Sequence, residues 1–326
     1  MTNIVPTTNT QIAATNWQSA LQEANQTVLK SHPYTALITR TTPTAFVFLI
    51  DQSGSMQETI AFGNTACTKA EAVARVVNNA LNELINRCLK GTEVRHYYDV
   101  ALIGYGENAG LLWEGPLTDR TFVSPAELYQ HPNGTTDVEV ESVVRGKTIK
   151  RTSKRPFWLK PLADGLTPMK QAFELAETLL GQWLTDHRGL DCYPPSVINI
   201  TDGAATDATE GELLTITRRI RQLHTIDGHV LLLNVHLSEV AGAPTLFPCR
   251  ADQLPDDPYA RLLYDLSSAM PARYHADIAS LRREDIRPNY VGMSFNADVN
   301  ALVNFLNIGT PTTVNSSFGD SMRQEP

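Results

Sequence analysis

The sequence predicts an α/β fold with a doubly wound, mainly parallel central sheet flanked by helices. First, a continuous apolar run at 45–50 (AFVFLI) lies between a Thr-Pro pair and a polar loop, which is typical of a strand buried on both faces of a parallel sheet. Second, similar apolar runs alternate with stretches of helical periodicity along most of the chain. Third, 326 residues, 42% of them hydrophobic, suffice to bury a large core.

The elements can be predicted in order from the N-terminus. Apolar residues at helical spacing from Trp17 to Val28 predict a short amphipathic helix, and the stripe from Ala70 to Leu89 predicts a longer helix after the first strand. The later predicted elements are strand 100–105, helix 168–184, strand 196–200, helix 210–223, strand 229–236, helix 257–269, and a closing pair at 290–295 and 299–306.

The chain divides into an N-terminal extension (1–41), one domain (42–310) and a polar tail (311–326) whose composition predicts disorder. Within the domain, roughly 116–161 is too long for an ordinary α/β connection and is predicted to be an insertion. Alternating residues on both sides of Arg145-Gly146-Lys147 predict that this insertion contains a β-hairpin.

Charge and cysteine content narrow the class of protein. The formal net charge is -8, so the chain as a whole offers no broad attraction to nucleic acid or to acidic membranes. We find neither an export signal nor an apolar run long enough to span a bilayer. The four cysteines lie far apart, which favours buried thiols in a reducing compartment. We therefore expect a cytoplasmic protein without a membrane partner.

The residues most indicative of chemistry follow the first strand. Asp51, Ser53 and Ser55 emerge where open α/β sheets bind ligands, at the carboxyl end of a central strand. Their carboxylate and hydroxyl oxygens suit a small hard cation such as Mg²⁺, and the glycine between the serines is expected to allow a tight loop. Two later motifs occupy comparable places: Thr167 opens a helix and Asp202 ends an apolar strand.

These five residues give the chain its resemblance to the von Willebrand factor A (VWA) domain, a Rossmann-like fold. The metal-ion-dependent adhesion site (MIDAS) of that family consists of D-x-S-x-S, a later Thr and a later Asp. The resemblance covers about 42–310 and is strongest to stand-alone intracellular bacterial VWA proteins. It implies that Ser53 and Ser55 coordinate Mg²⁺ directly, that Thr167 does so when a ligand is bound, and that Asp51 and Asp202 bind directly or through water. Mn²⁺ and Ca²⁺ are alternative ions.

The resemblance also implies a function. It indicates a non-enzymatic module whose Mg²⁺ bridges to an acidic side chain of a protein partner, acting as an adaptor or regulator in a multi-protein system. The partners that the resemblance implies are a MoxR-type AAA+ ATPase or a kinase and phosphatase system. The weakest alternative is a Mg²⁺-dependent phosphohydrolase that uses Asp51. It lacks an acid or base at the position of Ser53, and the G-x-S-x-G, H-E-x-x-H and P-loop motifs are absent.

A basic run in the insertion allows three interpretations. The first is a nucleic-acid site, in which the basic side chains contact phosphates and the following Phe157 and Trp158 stack on bases. The second, favoured over nucleic-acid binding, is a solvated hairpin. The third is a basic arm beside the metal site that steers an acidic protein partner. The residues are Arg145, Lys147, Lys150, Arg151, Lys154 and Arg155.

Four residues near these motifs also have simpler interpretations. Thr167 followed by proline is a common helix start, so its hydroxyl could cap the helix as well as bind metal. Asp164 and Asp207 could support the metal ligands without touching the ion, but solvated turn residues are the favoured interpretation. His236, in an apolar strand, is expected to be a core residue with satisfied hydrogen bonds.

Overall fold

The computed structural model describes residues 29–62, 65–144, 147–237 and 244–296. In chain order, its strands and helices are β1 (Thr44–Asp51), β2 (Thr59–Phe62), β3 (Thr65–Thr68), α1 (Lys69–Cys88), β4 (Leu89–Lys90), β5 (Glu93–Val94), β6 (Tyr98–Tyr105), β7 (Ala109–Leu111), α2 (Pro125–Gln130), β8 (Gly134–Val144), β9 (Lys147–Phe157), α3 (Met169–Asp186), β10 (Ser196–Thr201), α4 (Glu210–Gln222), β11 (His224–Thr225), β12 (Gly228–His229), β13 (Leu231–His236), β14 (Thr245–Leu246), α5 (Pro258–Leu266), α6 (His275–Arg282) and β15 (Met293–Phe295).

Within these residues, seven strands form one sheet in the order β14-β15-β13-β10-β1-β6-β7. The five inner strands are parallel, and the two edge strands β14 and β7 pair antiparallel to their neighbours. The chain leaves β1 toward β6 and later returns on the other side of β1 as β10. The fold class expected from the sequence is therefore confirmed, and the direction of winding reverses beside β1, where such sheets bind ligands.

Helices cover both faces of the sheet. All eight residues of β1 are buried, which explains its unbroken apolar sequence. On one face, Val73 and Val77 of α1 belong to the same hydrophobic cluster as Phe48 of β1. On the opposite face, Phe173 of α3 belongs with Leu49. Successive residues of β1 thus alternate between two cores, as the pleat of a strand requires.

The insertion contains the predicted hairpin, formed by β8 and β9, together with the short helix α2, which the sequence did not indicate. Trp158 anchors the base of this hairpin: it is 1% exposed, and its indole N–H donates to the Leu128 carbonyl at 3.0 Å. Asn78 of α1 accepts hydrogen bonds from the backbone N–H groups of Trp158 and Leu159 at 2.9 and 3.0 Å. The hairpin therefore starts from a fixed position against α1.

The described part of the N-terminal extension packs onto the domain. Asp227 is fully buried, and its carboxylate accepts hydrogen bonds from the backbone N–H groups of Thr35 and Ala36 at 2.9 and 3.0 Å. Several predictions lie outside the described residues: the helix around 17–28, the element at 299–306, the tail at 311–326 and the side chains of Arg145, Lys147 and Lys150.

Candidate metal centre

Asp51 is the last residue of β1 and is held almost fully inside the protein. The whole residue is 1% exposed. One carboxylate oxygen accepts the Ser53 backbone N–H at 2.9 Å, and the other accepts the Thr201 hydroxyl at 2.6 Å. Burial raises the pKa of Asp51, and the hydrogen bonds from Ser53 and Thr201 oppose that rise. Thr201, at the end of β10, thus fixes the orientation of Asp51, a role that the sequence did not reveal.

A chain of hydrogen bonds connects the two serines to Asp202. The hydroxyl oxygens of Ser53 and Ser55 lie 3.0 Å apart, and the Ser55 hydroxyl donates to Oδ1 of Asp202 at 2.9 Å. Ser53 is buried, whereas Ser55 is exposed. The loops after β1 and β10 therefore bring three predicted ligands together at one end of the sheet.

The other oxygen of Asp202 is bound by a lysine that the sequence analysis did not single out. Nζ of Lys69 donates to Oδ2 of Asp202 at 2.9 Å and also to the Glu58 carboxylate. The side chains of Lys69 and Asp202 are 4% and 1% exposed. Burial lowers the pKa of Lys69, but the hydrogen bonds to Glu58 and Asp202 outweigh this effect and raise it overall, so the ammonium stays charged.

Thr167 lies on a neighbouring loop and is 6% exposed. The Gly54 N–H donates to the Gly165 carbonyl at 3.1 Å, which joins this loop to the one that carries the serines. The Thr167 N–H donates to the Thr206 hydroxyl at 3.0 Å. The loops are therefore adjacent, although no hydrogen bond in the described residues links the Thr167 hydroxyl to the other four predicted ligands.

The start of α3 shows that two simpler interpretations were wrong. Pro168 occupies the N-cap position, and no side chain at that position caps the helix. Asp207 does so from the following loop, accepting the backbone N–H groups of Lys170 and Gln171 at 3.1 and 3.0 Å. Asp207 is therefore a helix cap rather than a solvated turn residue, and the Thr167 hydroxyl is not needed for capping.

The site requires a glycine at positions 106 and 165 rather than at Gly54, where the sequence analysis expected it. A Cβ at Gly54 would meet only the Gly165 carbonyl oxygen, at 3.7 Å, which is an ordinary contact. A Cβ at Gly106 would lie 2.5 Å from the Asp164 carbonyl oxygen, and Gly165 has φ +88° with a Cβ position 2.7 Å from the Glu107 nitrogen. Gly106 and Gly165 thus allow the Thr167 loop to approach the end of β6.

His236 at the end of β13 also differs from expectation. It is 2% exposed and stacks on Phe295 with ring centroids 5.1 Å apart, as a core residue would. Neither ring nitrogen, however, has a hydrogen-bond partner within the described part of the chain. Burial lowers the pKa of His236, so the ring is neutral. His236 on β13 pairs in register with Thr201 on β10, and β10 lies between β13 and the strand that carries Asp51.

In the described part of the basic run, Lys154 lies away from this site. Ser153 and Lys154 border a groove with Asn82 and Asn86 in the second half of α1, whereas Lys69 at the site is the first residue of that helix. At 1.5 Å per residue, Asn82 is roughly 20 Å along the helix from Lys69. Lys154 thus lies toward the opposite end of α1 from Lys69, whereas Arg155 also borders a groove with Cys67 and Glu71 near the start of that helix.

The donor atoms fit the requirements of Mg²⁺. Hydroxyl and carboxylate oxygens are the hard ligands that this ion accepts. Ser53, Ser55 and Asp202 bring such oxygens within hydrogen-bond distance of one another, at 3.0 and 2.9 Å. Among the described residues, no group of three or more His, Cys, Asp or Glu side chains is placed to hold a metal ion.

Comparisons with known proteins concern the fold. No protein-family model matches the chain, and no curated protein matches it. Similar solved structures include a von Willebrand factor type A protein from Catenulispora acidiphila, with 14% identity, 60% of this chain and 33% of that chain covered, and a TM-score of 0.35. The conserved hypothetical protein BatB from Bacteroides thetaiotaomicron has 11% identity, coverages of 60% and 66%, and a TM-score of 0.29. The vWF domain of the type V pili tip protein Mfa5 from Porphyromonas gingivalis has 15% identity, coverages of 52% and 42%, and a TM-score of 0.28.

The chain therefore spans between a third and two thirds of the length of these three structures. Matches with such TM-scores bear on neither the candidate site nor the function. Among the helices of the described residues, none combines the length and the apolar character needed to cross a membrane.

Proposed function

We propose that the protein is a VWA-type interaction module that binds Mg²⁺ through a MIDAS and captures a carboxylate of an acidic protein partner. The observation that supports it most is the convergence of oxygen donors from Ser53, Ser55 and Asp202 beside the buried carboxylate of Asp51. These donors lie where the sheet reverses its direction of winding, the usual ligand position in this class of fold.

Each residue has a part in this proposal. Ser53, Ser55 and Asp202 would hold the ion directly, and Asp51, fixed by Thr201, would bind it directly or through water. The Thr167 hydroxyl, which is not used as a helix cap, would join when a ligand is bound. When bound, Mg²⁺ would supply a positively charged coordination position for a partner carboxylate.

We further propose that the protein is not an enzyme. The side chains that donate to Asp51 or adjoin it carry hydroxyl groups, which do not titrate near neutral pH. The ammonium of Lys69 is bound by two carboxylates. In line with the family resemblance, we propose a cytoplasmic adaptor or regulator in a bacterial multi-protein system, with a MoxR-type AAA+ ATPase or a kinase and phosphatase system as candidate partners.

Two observations disfavour nucleic-acid binding by the insertion. Trp158 is buried in the hairpin base and cannot stack on a base. Along the hairpin, Asp137 pairs in register with Lys154 and Glu141 with Lys150, so two of the basic positions lie opposite acidic ones, whereas Arg151 and Arg155 lie opposite Val140 and Thr136. This partial matching of charges favours a solvated hairpin.

Calorimetric titration with Mg²⁺ and a spin-resonance titration with Mn²⁺ test the metal site. Wild type is compared with Asp202→Asn and with Asp207→Asn, a control that makes the same change five positions away and preserves a capping oxygen. We expect Asp202→Asn to abolish binding and Asp207→Asn to bind as wild type does. Equal binding by all three proteins would contradict the proposed site.

The partner is tested by a pull-down from native cell lysate with the same three proteins, each in Mg²⁺ and in EDTA. Circular dichroism first confirms that all three are folded. We expect a partner that wild type and Asp207→Asn retain in Mg²⁺ only. A partner that Asp202→Asn also retains, or that persists in EDTA, would place the interaction surface elsewhere.

A further inference from the structure

Lys69 is in an environment that ordinary helix and burial preferences do not favour. It is the first residue of α1 and is 3% exposed. A positive charge at the N-terminus of a helix opposes the helix dipole, and burying a lysine removes its ammonium from water. The preceding residue, Thr68, already forms a capping box with Glu71, so the start of the helix does not require Lys69.

The contacts of Lys69 lead directly to the proposed metal site. Its ammonium binds Oδ2 of Asp202, while Oδ1 of the same carboxylate accepts the Ser55 hydroxyl. The two oxygens of Asp202 are therefore divided: one faces the serines, and the other faces Lys69. Because Asp202 is bound on both sides, its side chain has one orientation in the absence of any added ion.

Lys69 also sets the charge around the site. The three carboxylates of Asp51, Asp202 and Glu58 and the ammonium of Lys69 carry a sum of two negative charges. Without Lys69 the sum would be three, and a divalent cation would be attracted more strongly. The lysine thus removes one charge that would otherwise strengthen metal binding.

We propose that Lys69 is a built-in counterion of the metal site. It holds Asp202 in the metal-binding orientation before the metal arrives, and its charge keeps the affinity for Mg²⁺ low. The metal then binds reversibly and is retained better when an anionic ligand adds negative charge. This inference rests on the proposed function. A purely structural ion pair between α1 and the loop after β10 would stabilise the fold without any effect on metal affinity.

Lys69→Met tests the charge, because it preserves the length of the side chain and removes the ammonium. Its control is Lys30→Met, which removes the same charge from ion pairs with Asp191 and with the buried Asp227. Mg²⁺ affinity is measured by calorimetry, and the melting temperature is measured in EDTA and in saturating Mg²⁺.

We expect Lys69→Met to bind Mg²⁺ at least about tenfold more tightly than wild type, because repulsion between a unit charge and a divalent ion a few ångströms away is removed. In EDTA its melting temperature should fall, since the carboxylates lose their counterion, and Mg²⁺ should raise it by more than it raises that of wild type. Lys30→Met should keep the metal affinity of wild type.

Glu58→Gln is expected to change Mg²⁺ affinity in the opposite direction, and it keeps the proposal testable if Lys69→Met does not fold. Glu58 has a side chain that is 51% exposed, so the change is tolerated, and losing its charge should weaken Mg²⁺ binding several-fold. Unchanged affinity in both variants would overturn the counterion role. If wild type binds no metal, the proposed function fails. In that case, metal binding by Lys69→Met would still support the counterion role of Lys69, and a lack of metal binding by Lys69→Met would refute it.

Discussion

Thr201→Val tests how the protein keeps a carboxylate buried at the end of its central strand. Thr201 is fully buried, and its hydroxyl donates to Asp51 at 2.6 Å. Valine has nearly the same shape and is well suited to a strand, so the variant removes the hydroxyl, with its hydrogen bond to Asp51 and the longer one from the Gly203 N–H at 3.2 Å, without changing the packing volume appreciably. It leaves one oxygen of a buried carboxylate without its donor.

The magnitude follows from the type of bond lost. A hydrogen bond to a charged group contributes about 1.5–3 kcal/mol, so we expect the free energy of unfolding to fall by about 2 kcal/mol. For a domain of this size that corresponds to a decrease in melting temperature of about 3–4 °C. Mg²⁺ affinity should fall as well, because Asp51 loses the contact that orients it.

Thermal and urea denaturation in EDTA measure this loss, and Thr217→Val is the matched control. Thr217 is also fully buried, but its hydroxyl donates to the Leu213 carbonyl within α4 at 2.8 Å. Removing that bond strands no charge, so we expect a change below about 1 kcal/mol. Equal destabilisation by the two variants would refute the idea that Thr201 supports a buried charge.

Three further predictions concern local features. Gly165→Ala should lower the free energy of unfolding by about 2 kcal/mol, since φ is +88° and the Cβ would lie 2.7 Å from backbone, whereas Gly203→Ala, with open space at its Cβ, should change it little. Thr167→Ala should leave the melting temperature unchanged in EDTA, and Asp207→Ala should lower it by an amount equivalent to about 1 kcal/mol, because Asp207 caps α3. A hydrogen bond to the buried Asp99 raises the pKa of His96 above 6.5. The protonated His96 therefore stabilises the fold fully below pH 6.5, and this stabilisation is lost as the pH rises through the raised pKa. Denaturation across this range should show a pH slope that His96→Gln flattens, and an unchanged slope would contradict it.

The sequence allowed the layered fold to be predicted because its signals are local. The run at 45–50 has no polar residue, which only a strand covered on both faces accommodates, and the motif from Asp51 to Ser55 follows it directly. The paired halves of the hairpin were also visible as alternation. Short elements such as β7, β14 and α6 were missed because a few residues carry too little periodicity.

The contacts of the site could not be predicted in the same way, because they join residues far apart in the chain. Lys69 looks like an ordinary first residue of a helix within a T-x-x-E capping box, yet its partner Asp202 is 133 positions later. Thr201 has the side chain expected of a strand, and only its register opposite Asp51 makes it a hydrogen-bond donor. Asp207 resembles a turn residue until the fold brings it to the start of α3.

The separation between the hairpin and the metal candidate gives a final prediction. Lys154 borders the second half of α1, roughly 20 Å along that helix from Lys69, and charges are screened within about 8 Å at physiological ionic strength. Reversing the charges of the exposed Arg151 and Lys154 to glutamate should therefore leave Mg²⁺ affinity within about twofold of wild type.

The same double variant separates two routes by which an acidic partner could be recruited. If the hairpin steers the partner, the association rate measured by surface plasmon resonance should fall and lose much of its salt dependence, while the dissociation rate in Mg²⁺ stays constant. If the metal site alone recruits it, both rates should be unchanged. A change in Mg²⁺ affinity itself would contradict the placement of the hairpin, because charges at that distance cannot act on the ion through salt solution.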